Sequence, residues 1–420
     1  MIWIPIIFLL TMLLGVPIMA VLGMTSIIPS ELYNIMQPTF IAQSMFTGVN
    51  QIVLIAVAGF IFAGMLMEKC GITDGILDFA RVAVGRMPGG YAIMCIVAST
   101  FFAALTGAGP ACTAAIGSLT IPLMLGAGYD KGFTSSVAAA GGTLGVMIPP
   151  SNPMIIYAMI ATLSVSDLFL AGIVPGLITA VLLCLLCYTI AKRRGYYTAE
   201  SGRFSWKELA IGTWKARWGI IAPILILGSI YSGITTPTES AIIASLYALL
   251  VGIFRRSVTF ADVVDALKRT AVMTGSILSM VGIATVFARM LTLYGVPQAV
   301  ANAFKSLTNN AIIMQILIML LMLFVGMWLD TTASLIVMVP IFLPLIKEMG
   351  ISPIAFGIEL VLSVQIAFIT PPFAVNLFVV CKMTKLPLAE VSKDVLPFIG
   401  VLLIVSLLII FFPFLSTCLL

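Results

Sequence analysis

The feature that most limits what this chain can become is its succession of apolar stretches, each close to the length of one bilayer crossing. A spanning helix needs about 20 mostly apolar residues. Such stretches run near 2–28, 51–68, 132–164, 168–191, 218–235, 237–254, 270–291, 353–381 and 394–416. Of 420 residues, 61% are hydrophobic and 9% charged, against roughly 25% charged in a soluble domain. A water-soluble fold of this length cannot hide that much apolar surface, so the chain reads as an all-α polytopic membrane protein. The first stretch has no basic segment ahead of it and runs past Ile28, which makes it a first spanning helix rather than a cleaved signal.

Two further segments, 91–127 and 309–346, are too long for one crossing. Each is broken in its middle, the first by Thr106-Gly107-Ala108-Gly109-Pro110 and the second by Gly326-Met327-Trp328-Leu329-Asp330-Thr331-Thr332. Two full crossings and a re-entrant hairpin both return the chain to the side it left; the short halves favour hairpins. With the N-terminus in the cytoplasm, Lys305, Lys347 and Arg289 alone fall outside, leaving 18 of 21 Lys and Arg on the inner side. Arg289 sits near an outer helix end, where it can snorkel. The same path puts 192–217 inside as an amphipathic surface helix and 30–50 outside.

A shift of 222 residues superposes Pro122 on Pro344, Gly128 on Gly350, Pro149-Pro150 on Pro371-Pro372, and Pro175 on Pro397. Five crossings separate the two copies, so the repeat is inverted, the architecture of many secondary transporters, whose site lies near the midplane. Residues 1–200 form the first repeat, 201–236 an interfacial helix and a linking transmembrane helix, and 237–420 the second repeat.

Four breaks then converge: the tips Thr106–Thr113 and Gly326–Thr332, and the interruptions Gly141–Asn152 and Ile369–Asn376. A Pro-Pro pair removes two backbone donors and drives the preceding residue out of the helical region. Non-helical backbone at this depth must be buried in protein or line a cavity. Unwound carbonyls with Ser, Thr or Asp oxygens suit a hard cation, and half-helix N-termini suit an anion. Asp330 is the one carboxylate in a hairpin tip, placed to neutralise a sodium ion or to cap the following helix with Thr331 and Thr332 beside it. Glu359, Ser363 and Thr370 form a polar stripe leading into the second break, as a lining or as ligands. Thr236-Pro237-Thr238-Glu239 has the form of a capping box opening 237–254. Ile72–Gly85 and 203–217, the latter with Trp206 and Trp214, are amphipathic and suit the membrane interface.

The chain has no histidine, which excludes Ser-His-Asp chemistry, HExxH zinc sites and haem ligation by His. No P-loop motif is present, so ATP is not bound in that way. The seven cysteines are scattered, and the one CxxC, Cys184 and Cys187, lies mid-membrane without a second pair. The charge of +5 reports the cytoplasmic side rather than nucleic acid. These readings point to a carrier of solute and not to an enzyme, with no cofactor and no transition metal.

The run Gly107-Ala-Gly-Pro-Ala-Cys-Thr113, the segment Gly142…Gly145…Ile148-Pro-Pro-Ser151, the stretch Gly233…Thr236-Pro-Thr-Glu239, and Thr370-Pro-Pro…Asn376-Leu-Phe378 resemble the large membrane subunit of the tripartite ATP-independent periplasmic (TRAP) transporters. The resemblance covers essentially the whole chain. It implies an elevator-type, sodium-driven importer of organic anions such as C4-dicarboxylates, sialic acids or other sugar acids, in the bacterial inner membrane. It also implies two partners: a small membrane subunit, here expected as a separate chain, and a periplasmic solute-binding protein. Carried onto this sequence, a first sodium site draws on Gly107, Gly109, Thr113, Gly145, Ile148 and Pro149. A second draws on Gly326, Asp330, Thr331, Thr332, Thr370 and Pro371, with substrate near Ser151, Asn152, Val375 and Asn376. Rival readings are a sodium/dicarboxylate symporter that works without a binding protein and, more remotely, a subunit of a membrane enzyme complex.

Overall fold

In the computed structural model, residues 3–33, 35–196, 206–372 and 374–420 are described, and all of their regular structure is helical. Six of these helices are long and apolar enough to cross a bilayer, or nine if each bent pair counts as one span.

The first half runs α1 (Trp3–Leu13), α2 (Ile18–Tyr33), α3 (Pro38–Val49), α4 (Val53–Lys69) and α5 (Ile72–Val84). It continues through α6 (Gly90–Thr106), α7 (Gly109–Gly126), α8 (Lys131–Met147), α9 (Asn152–Ala161) and α10 (Val165–Arg194). Two linking helices, α11 (Trp206–Lys215) and α12 (Arg217–Tyr231), meet at 63°. The second half runs α13 (Pro237–Phe254), α14 (Phe260–Leu293), α15 (Val296–Leu307), α16 (Ala311–Gly326) and α17 (Thr331–Glu348). It ends with α18 (Pro353–Ala367), α19 (Val375–Thr384), α20 (Leu388–Asp394), α21 (Leu396–Phe411) and α22 (Phe414–Thr417).

Adding 222 to the bounds of α7 gives those of α17 residue for residue, and the same shift carries α8 onto α18 and α9 onto α19 within two residues. It also carries α4 into α14 and α5 onto α15. Caps repeat as well: Asp130 caps α8 by accepting from Phe133 N, and Ser352, 222 residues on, caps α18 by accepting from Ala355 N. Gly128 and Gly350 both take positive φ, and Pro149-Pro150 and Pro371-Pro372 are both cis. Gln365 Nε2 donates to the carbonyl of Thr143, its own repeat mate. A residue that touches its mate lies on the axis relating the two copies, so the pseudo-twofold passes between α8 and α18. Both helices are accordingly buried along nearly their whole length.

Several expectations are corrected. The stretch 2–28 is not one spanning helix. It breaks at Leu14–Pro17, where Gly15 turns at φ +73° and Pro17 has no N–H to continue the ladder, giving two shorter helices. The stretch 394–416 begins earlier, at Leu388, and bends by 53° at Val395, while its counterpart α10 is continuous. The converse holds earlier in the repeat, where α3 and α4 bend by 53° and α14 runs straight for 34 residues. Lys192, Arg193 and Arg194 form the last turn of α10 rather than part of a surface helix. Residues 197–205 of the expected surface segment lie outside the described residues; its remainder, α11, packs on α5.

Both long broken segments are hairpins of two helices. Thr120 Oγ1 donates to Cys95 Sγ at 3.3 Å and Cys112 Sγ to Ser99 O at 3.6 Å, which sets α7 running back along α6. On the basic side, Arg194 bridges Asp130 of the first repeat and Asp394 of the second. Burial opposes ionisation of Asp130, but the Tyr196 hydroxyl, the Phe133 amide and the Arg194 guanidinium outweigh it and hold its carboxyl below the usual range. That stabilisation is in place at neutral pH and is lost as pH falls through the depressed pKa.

Small residues set the closest helix approach. At the crossing of α4 and α13, a methyl group on Gly59 would lie 2.8 Å from Cβ of Ala241, whereas nothing lies within 4 Å of one on Gly275. Gly59→Val should therefore lower thermal unfolding stability by about 1–3 kcal/mol, and Gly275→Val should not lower it; melting of the purified chain checks both.

Candidate functional site at the four helix breaks

The first tip is seated directly on the first interruption. Gly107 caps α6 at φ +60°, and a Cβ there would lie 2.7 Å from the Pro150 carbonyl oxygen. Asn152 N donates to Gly107 O at 3.3 Å. One turn deeper, a Cβ on Gly145 would lie 2.7 Å from Ala108 O, and one on Gly142 would collide with Thr113 Oγ1. Only glycine allows tip and interruption to come this close without displacing backbone. The structure thus brings Gly107, Gly109, Thr113 and Gly145 together, as expected for the first group. Ile148 and Pro149 differ: their side chains line an apolar cavity of about 660 Å³ against α10, so their contribution to a ligand would come from backbone oxygen alone.

The second interruption joins the same assembly. Asn376 N donates to Phe368 O at 3.1 Å, and Asn376 Nδ2 donates across the repeats to Ala139 O at 3.1 Å. The Phe368 ring also packs against Gly109, 3.2 Å from where a Cβ would stand. Ser151 is fully buried and caps α9, accepting from Met154 N while donating to Val146 O. Val375 is partly exposed, and Asn152 and Asn376 are buried.

The second tip is held more loosely. A methyl on Gly326 would sit 2.7 Å from Ala367 Cβ, so the tip packs on the end of α18. Asp330 caps α17, its Oδ1 accepting from Ala333 N at 2.7 Å. Among the described residues no hydrogen bond links Asp330, Thr331 or Thr332 to Thr370 or Pro371. Thr370 Oγ1 instead donates to Ile366 O in its own chain segment. Of the expected polar stripe, Glu359 and Ser363 lie on α18 and are fully buried, whereas Thr370 falls beyond the helix end. Phe373 of the second interruption lies outside the described residues. Thr236 and Glu239 form the expected capping box, and both of its reciprocal bonds are present.

Four helix N-termini, those of α7, α9, α17 and α19, begin at these breaks. Two are capped by side chains, Ser151 on α9 and Asp330 on α17, and two are not, α7 and α19. Each repeat therefore contributes one N-terminus without a side-chain cap and with positive dipole character; in α19 the Asn376 N–H is taken by Phe368 O and in α7 Pro110 has none, which leaves the other first-turn N–H groups. The two meet at Phe368, which touches Gly109 of α7 and bonds Asn376 of α19. Asn152 Oδ1, Asn376 Oδ1 and Thr331 Oγ1, on helices that begin at the breaks, are buried with no partner, as are Ser334 Oγ on α17 and Gln365 Oε1 on α18; other such oxygens lie elsewhere, among them those of Tyr129, Thr270 and Ser406. Buried polar atoms are normally paired, so the free oxygens of Asn152, Asn376 and Thr331 fit residues prepared for a ligand. The donor set is all oxygen and suits a hard cation as well as a hydrogen-bonding solute. Among the described residues there is no cluster of three or more His, Cys, Asp or Glu able to hold a metal ion.

Gln365 escaped the sequence reading. Its signal was the repeat itself, because position 365 is 222 residues from Thr143, but only the structure shows that these mates meet.

Because Asp330 caps α17, Asp330→Ala should cost about 0.5–2 kcal/mol and Asp330→Asn, whose amide oxygen can still accept, should cost little. Thermal melts of the two variants side by side distinguish the outcomes.

Comparison with known proteins places this geometry. Residues 6–415 match the family described as the tripartite ATP-independent periplasmic transporter, DctM component. The chain is 37% identical over 407 residues to the isethionate TRAP transporter permease protein DctMQ of Oleidesulfovibrio alaskensis, covering 97% of this chain and 64% of that longer protein. It is 33% identical to the C4-dicarboxylate TRAP transporter large permease protein DctM of Pseudomonas aeruginosa, covering 95% and 93% of the two chains. It is 35% identical to the sialic acid TRAP transporter large permease protein SiaM of Vibrio cholerae, covering 89% and 87%. The crystal structure of the Alcanivorax borkumensis YdaH transporter shares the fold, with a TM-score of 0.67 over 98% of both chains at 15% identity.

Proposed function

The chain belongs to the DctM component family of the tripartite ATP-independent periplasmic transporters, and from that premise we propose that it imports a small organic anion with sodium as coupling ion. Membership makes it a multi-pass inner-membrane protein and a secondary transporter of organic anions rather than an enzyme. The relatives handle isethionate, C4-dicarboxylate and sialic acid by name, and an anion of this range is the proposed solute. The observation that carries the reading is the meeting of two uncapped helix N-termini at Phe368, beside the unpaired amide oxygens of Asn152 and Asn376. This gives an anion a home without any Lys or Arg at the breaks, since N–H groups and helix dipoles supply the positive potential.

In this proposal the carbonyl-bearing C-terminal ends of α6, α8, α16 and α18 supply the cation sites. The first sodium lies between Gly107–Thr113 and Gly145–Pro149; the second lies where Asp330–Thr332 close on Thr370–Pro371. The distance between those last two groups is bridged when the ion draws the second tip inward, which couples sodium binding to completion of the anion site. The solute lies between them near Ser151, Asn152, Val375 and Asn376. The hairpins and interrupted helices then move as one block, in an elevator motion, against a scaffold built from α1–α4 and α12–α14. The repeat boundaries 1–200, 201–236 and 237–420 belong to this proposal, as does a cytoplasmic N-terminus, for which the asymmetric distribution of Lys and Arg argues. A small membrane subunit and a periplasmic solute-binding protein are the proposed partners; the longer DctMQ relative supports the first.

Uptake by proteoliposomes containing the chain, its small subunit and the loaded binding protein should collapse when the inward sodium gradient is removed. Unchanged uptake without the gradient would end the sodium proposal.

A further inference from the structure

Arg289 is one of the three cations, with Lys305 and Lys347, that the path places on the outer side; Lys347 lies in the last turn of α17, where a cation suits the helix dipole. Arg289 lies 20 residues beyond Arg269 on the straight helix α14, about 30 Å along the axis, which is the thickness of the hydrocarbon core. It therefore stands at the membrane face opposite the Lys- and Arg-rich one. No carboxylate lies within ion-pair distance of it among the described residues. Lys305, assigned to the same face, is paired with Glu348. Arg289 Nη1 donates to Ser44 Oγ at 2.9 Å, and the guanidinium lies over the Phe40 ring at 5.5 Å. These contacts fix its plane and use one of its five N–H donors.

The residue opens onto a cavity of about 400 Å³, within the range for small-molecule sites. Its polar wall is Thr47, Gln51, Thr162, Thr285, Arg289 and Thr292. Thr47 and Gln51 belong to the α3–α4 corner and Thr285–Thr292 to α14, while Thr162 ends α9 and Pro340 lies on α17. The cavity thus separates the helices assigned to the scaffold from those carrying the breaks. An unpaired charge in such a place is a functional feature by default; the Thr hydroxyls and the Gln51 amide of the wall donate to nearby backbone carbonyls, Met159, Ile160, Ile336 and Pro340 make the rest of it apolar, and the guanidinium is the charged donor that an anion would meet.

We propose that this cavity is an outer docking site for the carboxylate or sulfonate of a small organic anion, held by the free edge of the Arg289 guanidinium before the solute reaches the breaks. The inference rests on the organic-anion reading above and adds a site that lies away from the four breaks.

The test uses the full chain with its small subunit in nanodiscs and a reporter cysteine, Thr47→Cys, with labelling of the parent chain subtracted. Rates are measured with an anionic sulfonatoethyl and a cationic trimethylammonioethyl methanethiosulfonate. Arg289→Gln should lower the anionic-to-cationic rate ratio about fivefold or more, and Arg289→Lys should preserve it. Succinate, isethionate or N-acetylneuraminate should slow anionic labelling in the Arg289 chain and fail to do so in Arg289→Gln, with weaker protection in Arg289→Lys. An unchanged ratio, or protection that survives Arg289→Gln, would overturn the proposal. An anionic lipid headgroup offers the same chemistry, so phosphatidylcholine discs are compared with discs containing phosphatidylglycerol; protection by that lipid and by none of the solutes would also overturn it. Failure of the unmodified chain to take up any of the three anions, with the ratio still dependent on Arg289, would count against the proposed function and leave the cavity's preference for anions standing.

Discussion

A broken helix inside a bilayer strands backbone donors and acceptors where no water can satisfy them, and the rest of this structure follows from how that cost is met. The breaks satisfy one another. Asn152 N reaches Gly107 O, Asn376 N reaches Phe368 O, Asn376 Nδ2 reaches Ala139 O and Gln365 Nε2 reaches Thr143 O. An unmatched amide in hydrocarbon costs several kcal/mol, so one break alone would unwind the fold around it. Paired across tip and interruption, and across the two repeats, these groups are met inside the protein, the first interruption being buried throughout and the second only in part.

Mutual satisfaction demands that backbones approach closely, and this explains the composition of α8. Its run Ala138-Ala139-Ala140-Gly141-Gly142 and Gly145 lets α6, α7, α18 and α19 close on it. The satisfaction is deliberately incomplete in one region. Two helix N-termini lack side-chain caps, and the buried side-chain oxygens of Asn152, Asn376 and Thr331 at the breaks lack partners. A protein interior normally leaves few such groups, and the meeting of uncapped helix starts from both repeats at Phe368 is what distinguishes a site from a kink. The two halves also differ: α7 and its tip pack tightly, whereas the second tip touches α18 without bonding to Thr370. The half containing the only tip carboxylate is the half whose tip makes no hydrogen bond to its interruption among the described residues.

Much of this was legible in the sequence because helix breakers are few and their positions repeat. Pro149-Pro150 and Pro371-Pro372 fixed the interruptions, Gly107 and Gly326 the tips, and the single offset of 222 the relation of the halves. Thr236 and Glu239 announced their capping box by spacing alone. What sequence could not supply was anything decided by lateral packing. The break at Leu14–Pro17 was masked by the apolar residues around it, and the bend at Val395 sits beside Pro397, whose repeat mate Pro175 lies inside the continuous α10, so proline alone did not tell the two cases apart. Which side chains of a break turn inward was equally hidden: Ile148 and Pro149 face α10, and Thr370 bonds to its own chain. Gln365 looked like one polar residue in an apolar helix until the axis placed it beside Thr143.

The most direct measurement is thermal unfolding of the chain with its small subunit, titrated with sodium against potassium and choline at equal ionic strength. If a cation completes the second tip, millimolar sodium alone raises stability, following the logarithm of its concentration above the dissociation constant. Asp330→Asn, which keeps the cap but not the charge, should lose a large part of that response. Identical stabilisation by all three cations would contradict the account and leave the four breaks as paired structural kinks around a solute path.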